Sequence, residues 1–378
     1  MRPAWKAAGI VAVLIGLAVS ARLLDRAAAA QQAMAAPAYR VDPMWPKMPS
    51  KWILGQVAGL SVDSRDHVWI LQRPWSLASD EKALNADAPC CHPAPPVMEF
   101  DAAGNYIQGW GGEGEGEGYE WPADEHAIHV DYKGNVWISS AGGPRLQTRK
   151  ENQILKFTQA GKFLLQIGHR GMSKGSLDTD NFNNAADIHV YPKTNEVFVA
   201  DGYVNRRVIV LDADTGKFKR MWGAYGNAPD DAAPNQPTEE GPGAQQFNLV
   251  HGVRVSDDGL VYVADRRNNR MQVFSLDGKF QRELFIERKT KLLGTSFSVA
   301  FSPDPRQEFL YLADAGNGRV HIYDRRTLKE VGGFGRVGHY AGEFVFLHVV
   351  ATDSKSDVYT AEVGGGRRVQ KFVGQGSR

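Results

Sequence analysis

The chain has too few cysteines, too little net charge and too short an apolar run to fit several common protein classes. Two cysteines among 378 residues cannot crosslink a scaffold, so burial and hydrogen bonds must hold the fold. Lysine and arginine number 44 against 43 acidic residues, and a formal charge of +1 lacks the basic excess that a nucleic-acid backbone selects. The longest apolar run, residues 7–21, falls short of the ~20 residues that span a bilayer. It follows Arg2 and Lys6 and precedes alanines with A-x-A spacing at 28–30, the layout of an export signal over residues 1–30. Arg22, Asp25 and Arg26 behind the run keep an uncleaved N-terminal anchor as the alternative. On either reading the mature domain is expected to be periplasmic or secreted, meeting a membrane only if that segment stays attached.

Glycine, by contrast, is abundant at 40 residues, as expected where many positive-φ turns join short strands. Residues 247–274, FNLVHGVRVSDDGLVYVADRRNNRMQVF, show the pattern. Two runs of alternating character flank the turn Ser256-Asp257-Asp258-Gly259, and a third run, 271–274, follows a polar turn. Copies aligned on the residue matching His251 begin at Ala58, His126, Ala186, His251, Phe297 and His348, at spacings of 68, 60, 65, 46 and 51 residues. Six units of three or four short strands predict an all-β fold, a six-bladed β-propeller, over residues 52–378. The sixth unit stops after its third strand, while residues 39–42 form an orphan strand within a linker at 31–51. That N-terminal strand is expected to complete blade six and close the ring, removing two open sheet edges.

The long connections either precede first strands or follow second strands: 74–96, 111–125, 141–151, 168–181 and 223–246. In antiparallel blades these all fall on one face, which is the candidate site. His126, His251 and His348 open the inner strands of blades two, four and six on that face. Alternate blades of six stand about 120° apart, so three imidazoles can converge on the axis as a tridentate metal site. Zinc is the first choice for three imidazoles with an open position, with copper or iron as alternatives. His67, His129, His169, His189, His321 and His339 are expected to be structural or on the surface. Arg73, which closes the second strand of blade one, and Tyr203, after the second strand of blade three, depart from the repeat consensus. An arginine there suits a bidentate grip on a substrate carboxylate, and a tyrosine suits a general base. Asp201, Asp265, Asp314, Asn205, Arg270 and Arg319 lie in turns of the form Ala-Asp-x-x-Asn-x-Arg and read as caps that tie neighbouring blades.

The repeats are similar to NHL repeats, and residues 52–373 resemble the catalytic domain of the peptidyl-α-hydroxyglycine α-amidating lyases. The matching words are GQVAGLSVD with the RP after strand two, EHAIHVDYKGNVWI, VFVADGYVNRRV, FNLVHGV with VYVADRRNNRMQVF, and FLHVVA. The resemblance implies a six-bladed propeller that breaks the C–N bond of a carbinolamide, releasing glyoxylate and an amide. It also implies zinc on His126, His251 and His348, Arg73 on the substrate carboxylate and Tyr203 as base. Two positions depart from the family. Val349 stands where an aspartate would help hold a structural calcium, so the resemblance does not extend to that calcium; Val204 stands where a cysteine would follow the tyrosine.

The insertion APCCHPAPP holds both cysteines, Cys90 and Cys91, beside His92. Its readings are a vicinal disulfide stiffening the loop, a soft-metal site with His92, or a plain pair of thiols. The acidic run GEGEGEG, residues 112–118, reads as a flexible lid. Three functions are open to these residues: a metal-dependent lyase for a small-molecule or peptide substrate bearing a carboxylate, a non-catalytic propeller binding a protein, glycan or redox partner, and a metal-dependent hydrolase such as a lactonase.

Overall fold

Six four-stranded antiparallel sheets succeed one another along the chain, each beginning with a strand on the axis and ending at the rim. The computed structural model describes residues 35–82, 88–112, 118–141, 151–235 and 239–375. The segment 1–30 and the lid residues 113–117 therefore lie outside the described residues, and the propeller falls within the unit Pro37–Arg378. Among the described residues no helix is long and apolar enough to cross a membrane.

Blade one comprises Gln56–Val62, Val68–Arg73, Val97–Phe100 and Tyr106–Trp110; blade two Glu125–Val130, Asn135–Ser140, Ile154–Thr158 and Phe163–Ile167. Blade three comprises Asp187–Tyr191, Glu196–Asp201, Arg207–Asp212 and Phe218–Trp222; blade four Val250–Val255, Leu260–Asp265, Arg270–Ser275 and Phe280–Phe285. Blade five runs through Ser298–Phe301, Phe309–Asp314, Arg319–Asp324 and Lys329–Phe334. Blade six takes Leu347–Thr352, Val358–Glu362 and Val369–Gly374 from the end of the chain and Tyr39–Asp42 from its beginning, paired Tyr39 to Gly374 through Asp42 to Lys371. The ring is closed as the orphan strand predicts. Each inner strand touches the next, and that of blade six touches that of blade one.

Alternation along each strand puts one row of side chains into each neighbouring seam, so the core is divided rather than central. Six apolar clusters result, one in every seam between consecutive blades. Turn chemistry ties the strands to these seams. Asp131 accepts from the amides of Lys133 and Asn135 and from Trp137 Nε1, so one carboxylate shapes the turn and anchors the largest core ring of its blade. Asp63 and Trp69, and Asp353 and Tyr359, repeat the arrangement.

These Asp, Asn and Arg turns, which carry one extra residue in blade three (ADGYVNRR), act as ties in two of three cases. Arg207 meets Asp201 at 2.9 Å and Arg270 meets Asp265 at 2.8 Å with every partner fully buried, while Asn205 and Asn268 bond the same carboxylates. Blade five differs from the expectation. Arg319 is partly exposed and reaches toward Glu330, and the carboxylate of Asp314 is held instead by His321 Nε2 at 3.1 Å. Gly318, at φ 63°, packs against Val337 and starts the third strand where the imidazole, not the guanidinium, points at Asp314.

Candidate metal centre

His126, His251 and His348 each sit at a β-bulge near the start of an inner strand. Pairing steps from Val250 to Gly252 in blade four and from Leu347 to Val349 in blade six, so His251 and His348 are the extra residues; blade two bulges between Glu125 and Ile128. A bulge turns its side chain out of the pleat, and here it turns each imidazole onto the axis. Close approach between inner strands makes this possible. A Cβ on Gly252 would stand 2.9 Å from Phe297 O, and one on Gly59 would stand 2.8 Å from Ile128 N.

The next blade's backbone fixes each ring. His126 Nδ1 donates to Ala186 O at 2.7 Å, His251 Nδ1 to Phe297 O at 2.8 Å and His348 Nδ1 to Ala58 O at 2.7 Å. A carbonyl only accepts, so all three Nδ1 atoms carry the proton and all three Nε2 atoms present a lone pair. Ring centroids lie 4.8–5.1 Å apart, and the ligand atoms fall within 4.8 Å of one another. Burial pushes His126 and His251 well below the usual imidazole range and His348 down to about 3, with the neighbouring rings and the guanidiniums of Arg73 and Arg266 adding to it. Neutral imidazoles are what a metal requires.

The three rings line a small space of about 10 Å³, room for one small atom. Three fixed, neutral, converging nitrogen donors fit a borderline dication of the zinc kind. Calcium does not fit beneath them. Val349 is apolar there, and the carboxylate lining the same space, Asp187, is taken by the guanidinium of Arg254.

Tyr203 and Arg73, singled out in the sequence, both come to this centre. The Tyr203 hydroxyl is 2.9 Å from His126 Nε2 and 3.3 Å from His251 Nε2, after the second strand of blade three. Arg73 is buried, its Nε bonded to Glu125 O at 2.7 Å and its Nη1 to Gln56 Oε1 at 3.0 Å. That departs from the expected bidentate grip: the Nε edge is already used on the protein, and the Nη2 end remains for a ligand.

Two further residues belong here. Arg266 Nη1 donates to the Tyr203 hydroxyl at 3.4 Å, while its Nε holds Leu293 O at 2.7 Å and its guanidinium stacks 4.0 Å over Phe297. It occupies in blade four the register that Arg73 occupies in blade one, so the two cations face each other across the ring. The signal was present: the equivalent positions in blades three and five are Gly202 and Ala315, but the repeat consensus hid Arg266 inside ADRRNNR. Glu125, beside His126, is buried and receives Trp121 Nε1 at 3.0 Å and Trp75 Nε1 at 3.1 Å; burial raises its carboxyl to about 7 against those bonds and the nearby Arg73. Nothing in its local pattern distinguishes it from a strand-opening glutamate.

Cys90 and Cys91 are joined as a vicinal disulfide. The sulfurs are thus not metal ligands, and His92 Nε2 donates to Ala88 O at 2.8 Å, which leaves no soft-metal site with His92. The segment is laced to the strand before blade one through Trp52–Ile53 and His92–Pro93.

The fold and centre define a class: a six-bladed propeller with three axial histidines. The family described as NHL repeat matches residues 247–274. Over 344 residues the chain is 27% identical to NHL repeat-containing protein 3 of Homo sapiens, covering 89% of this chain and 84% of that protein. It is 28% identical over 242 residues to the probable peptidyl-alpha-hydroxyglycine alpha-amidating lyase pgal-1 of Caenorhabditis elegans, covering 60% and 57% respectively. Among solved structures, a streptogramin B lyase shares the fold at TM-score 0.52 and 11% identity, over 89% of this chain and 98% of that one.

Proposed function

We propose that this protein is an exported, metal-dependent lyase that cleaves the C–N bond of an α-hydroxyglycine-type carbinolamide. The observation that carries the proposal is the Tyr203 hydroxyl, set on the three-histidine centre between two facing guanidiniums. Similarity to a probable amidating lyase supports the reaction class, and the vicinal disulfide supports an oxidising compartment.

A dication on His126, His251 and His348, zinc first, supplies Lewis acidity to an α-hydroxyl. The chain's own residues do the rest. The free ends of Arg73 and Arg266 hold the substrate carboxylate and set the carbinol carbon over the centre. Tyr203, acting as the phenolate with Arg266 holding positive charge beside its oxygen, takes the hydroxyl proton and becomes the phenol. As the carbonyl forms, the C–N bonding pair leaves with nitrogen, and the same proton passes to the amide, giving glyoxylate and a primary amide.

The test is metal content of the mature protein, wild type beside His251→Ala, then glyoxylate release from an N-acyl-α-hydroxyglycine. Stoichiometric zinc lost in the variant, with turnover in the wild type only, is expected. Zinc without turnover leaves the binding propeller.

A further inference from the structure

Three residues further along each inner strand, about 10 Å down the channel, the blades present a second ring: Ser61, His129, His189, Arg254, Ala300 and Ala351. The ring is lopsided. Blades two, three and four contribute two imidazoles and a guanidinium on one arc, and blades five, six and one contribute small side chains on the other. The sequence assigned His129 and His189 to structural or surface roles, and the structure gives them no structural bond that explains them.

The rings of His129 and His189 lie 5.0 Å apart, and His129 Nε2 and both ring nitrogens of His189 are buried without a hydrogen-bond partner. The Val255 backbone approaches the His189 ring without a bond of normal geometry. Orphaned nitrogens of this kind destabilise a fold unless something occupies the space beside them. Arg254 supplies the charge. Its Nη1 is anchored by the Asp187 carboxylate and by Val253 O at 2.7 Å, and its Nε and Nη2 make no hydrogen bond to the described residues. Arg254 can only donate, and a neutral imidazole can donate from either nitrogen, so the shared complement is an acceptor. A dication would instead meet the guanidinium that flanks both rings.

We propose that His129, His189 and Arg254 form a binding site for a small oxyanion, of the phosphate, sulfate or carboxylate class, further down the channel than the three-histidine centre, with Arg254 at the border between the two. Asp187 holds the guanidinium in place, and the facing arc presents only the small side chains of Ser61, Ala300 and Ala351. The site is separate from Arg73 and Arg266, which stand at the other end of the inner strands.

The test is titration of the zinc-loaded full chain with inorganic phosphate and with sulfate, monitoring the imidazole nitrogens by long-range ¹H–¹⁵N correlation. The ring signals of His129 and His189 should move saturably while those of His126, His251 and His348 stay in place. Arg254→Lys keeps a cation for Asp187 and should fold, yet weaken binding at least about tenfold by losing the free fork. His129→Gln and His189→Gln, made singly, should each weaken the binding read from the imidazole that remains. No saturable movement up to about 50 mM anion, an unchanged affinity in Arg254→Lys, or a response of these two rings to added zinc or copper beyond the first equivalent would each overturn the assignment.

Discussion

Replacing Tyr203 by phenylalanine removes one oxygen, and the geometry says what that oxygen does. It lies 2.9 Å from His126 Nε2, 3.3 Å from His251 Nε2 and 3.4 Å from Arg266 Nη1. Only the first contact has the length of a full hydrogen bond, so the stability cost is about 0.5–1.5 kcal/mol. The three Nδ1 anchors run to Ala186, Phe297 and Ala58 and do not involve the phenol, so zinc stoichiometry should be unchanged. Turnover should behave otherwise. A positioned base contributes about 10²–10⁴-fold, so kcat for glyoxylate release should fall by that factor while KM moves little, because the proposed carboxylate grip of Arg73 and Arg266 is untouched. The assay is steady-state glyoxylate formation with metal analysis on the same preparations. A Tyr203→Phe enzyme within about threefold of wild type refutes the assignment of the base, and loss of zinc in the variant refutes the separation of base from metal anchorage.

The ring and its ties yield two further outcomes. Tyr39 bonds Tyr311 hydroxyl to hydroxyl at 2.6 Å and packs 5.1 Å from the ring of Phe334, so Tyr39→Ala should cost about 2 kcal/mol, read as the shift in denaturant midpoint at constant slope; an unchanged midpoint would show that the closing strand contributes nothing. At His321 burial opposes the charge, but bonds to Asp314 and Glu330 outweigh it and raise the imidazole above its ordinary value. A raised folded value means stability that is complete below the unfolded value near 6.5 and is lost as pH climbs through the folded one. The melting-temperature gap between wild type and His321→Gln should therefore be wider at about pH 5.5 than at about pH 8.5, and equal gaps would remove His321 as a charged tie.

The fold was legible because its period was. Turn aspartates, β-branched runs and the histidine register repeat at a spacing that only a ring of small sheets explains, and even the closing strand shows as an unmatched run before three prolines. The histidines were legible for the same reason, since equal register in alternate blades is equal position around an axis. What stayed hidden needed a third dimension. Arg266 is visible only when blade four is laid over blade one, and its neighbours Arg267 and Arg270 look no different in the chain. The fork of Arg73 is half spent on Glu125 O and Gln56, partners 52 and 17 residues away. His321 displaced Arg319 at Asp314 because both come after the same turn within three residues, and no local pattern ranks them.

The anchoring of the three rings links the centre to the closure of the fold. Blades two, four and six give the imidazoles, and blades three, five and one give the carbonyls that orient them. Each ligand is thus held across a seam between blades, not within one. Two of those seams join blades that are consecutive in the chain, but His348 leans on Ala58 across the seam where the last blade meets the first. That seam is packed by the cluster containing Trp45, Tyr359 and Val369, and the outer edge of blade six is completed by Tyr39–Asp42, whose Tyr39 and Val41 pack toward blade five. A chain that folds five and a half blades would therefore hold two oriented imidazoles and a third with its tautomer unset. Two-coordinate sites bind zinc far more weakly than three-coordinate ones, because each neutral nitrogen adds a bond already oriented before the metal arrives. Metal affinity would then report ring closure: Gly59 and Gly252 set the approach of blade one to two and of blade four to five, and the pairing of the N-terminal strand with Val369–Gly374 completes the last blade, so each seam contributes to the spacing of the three rings.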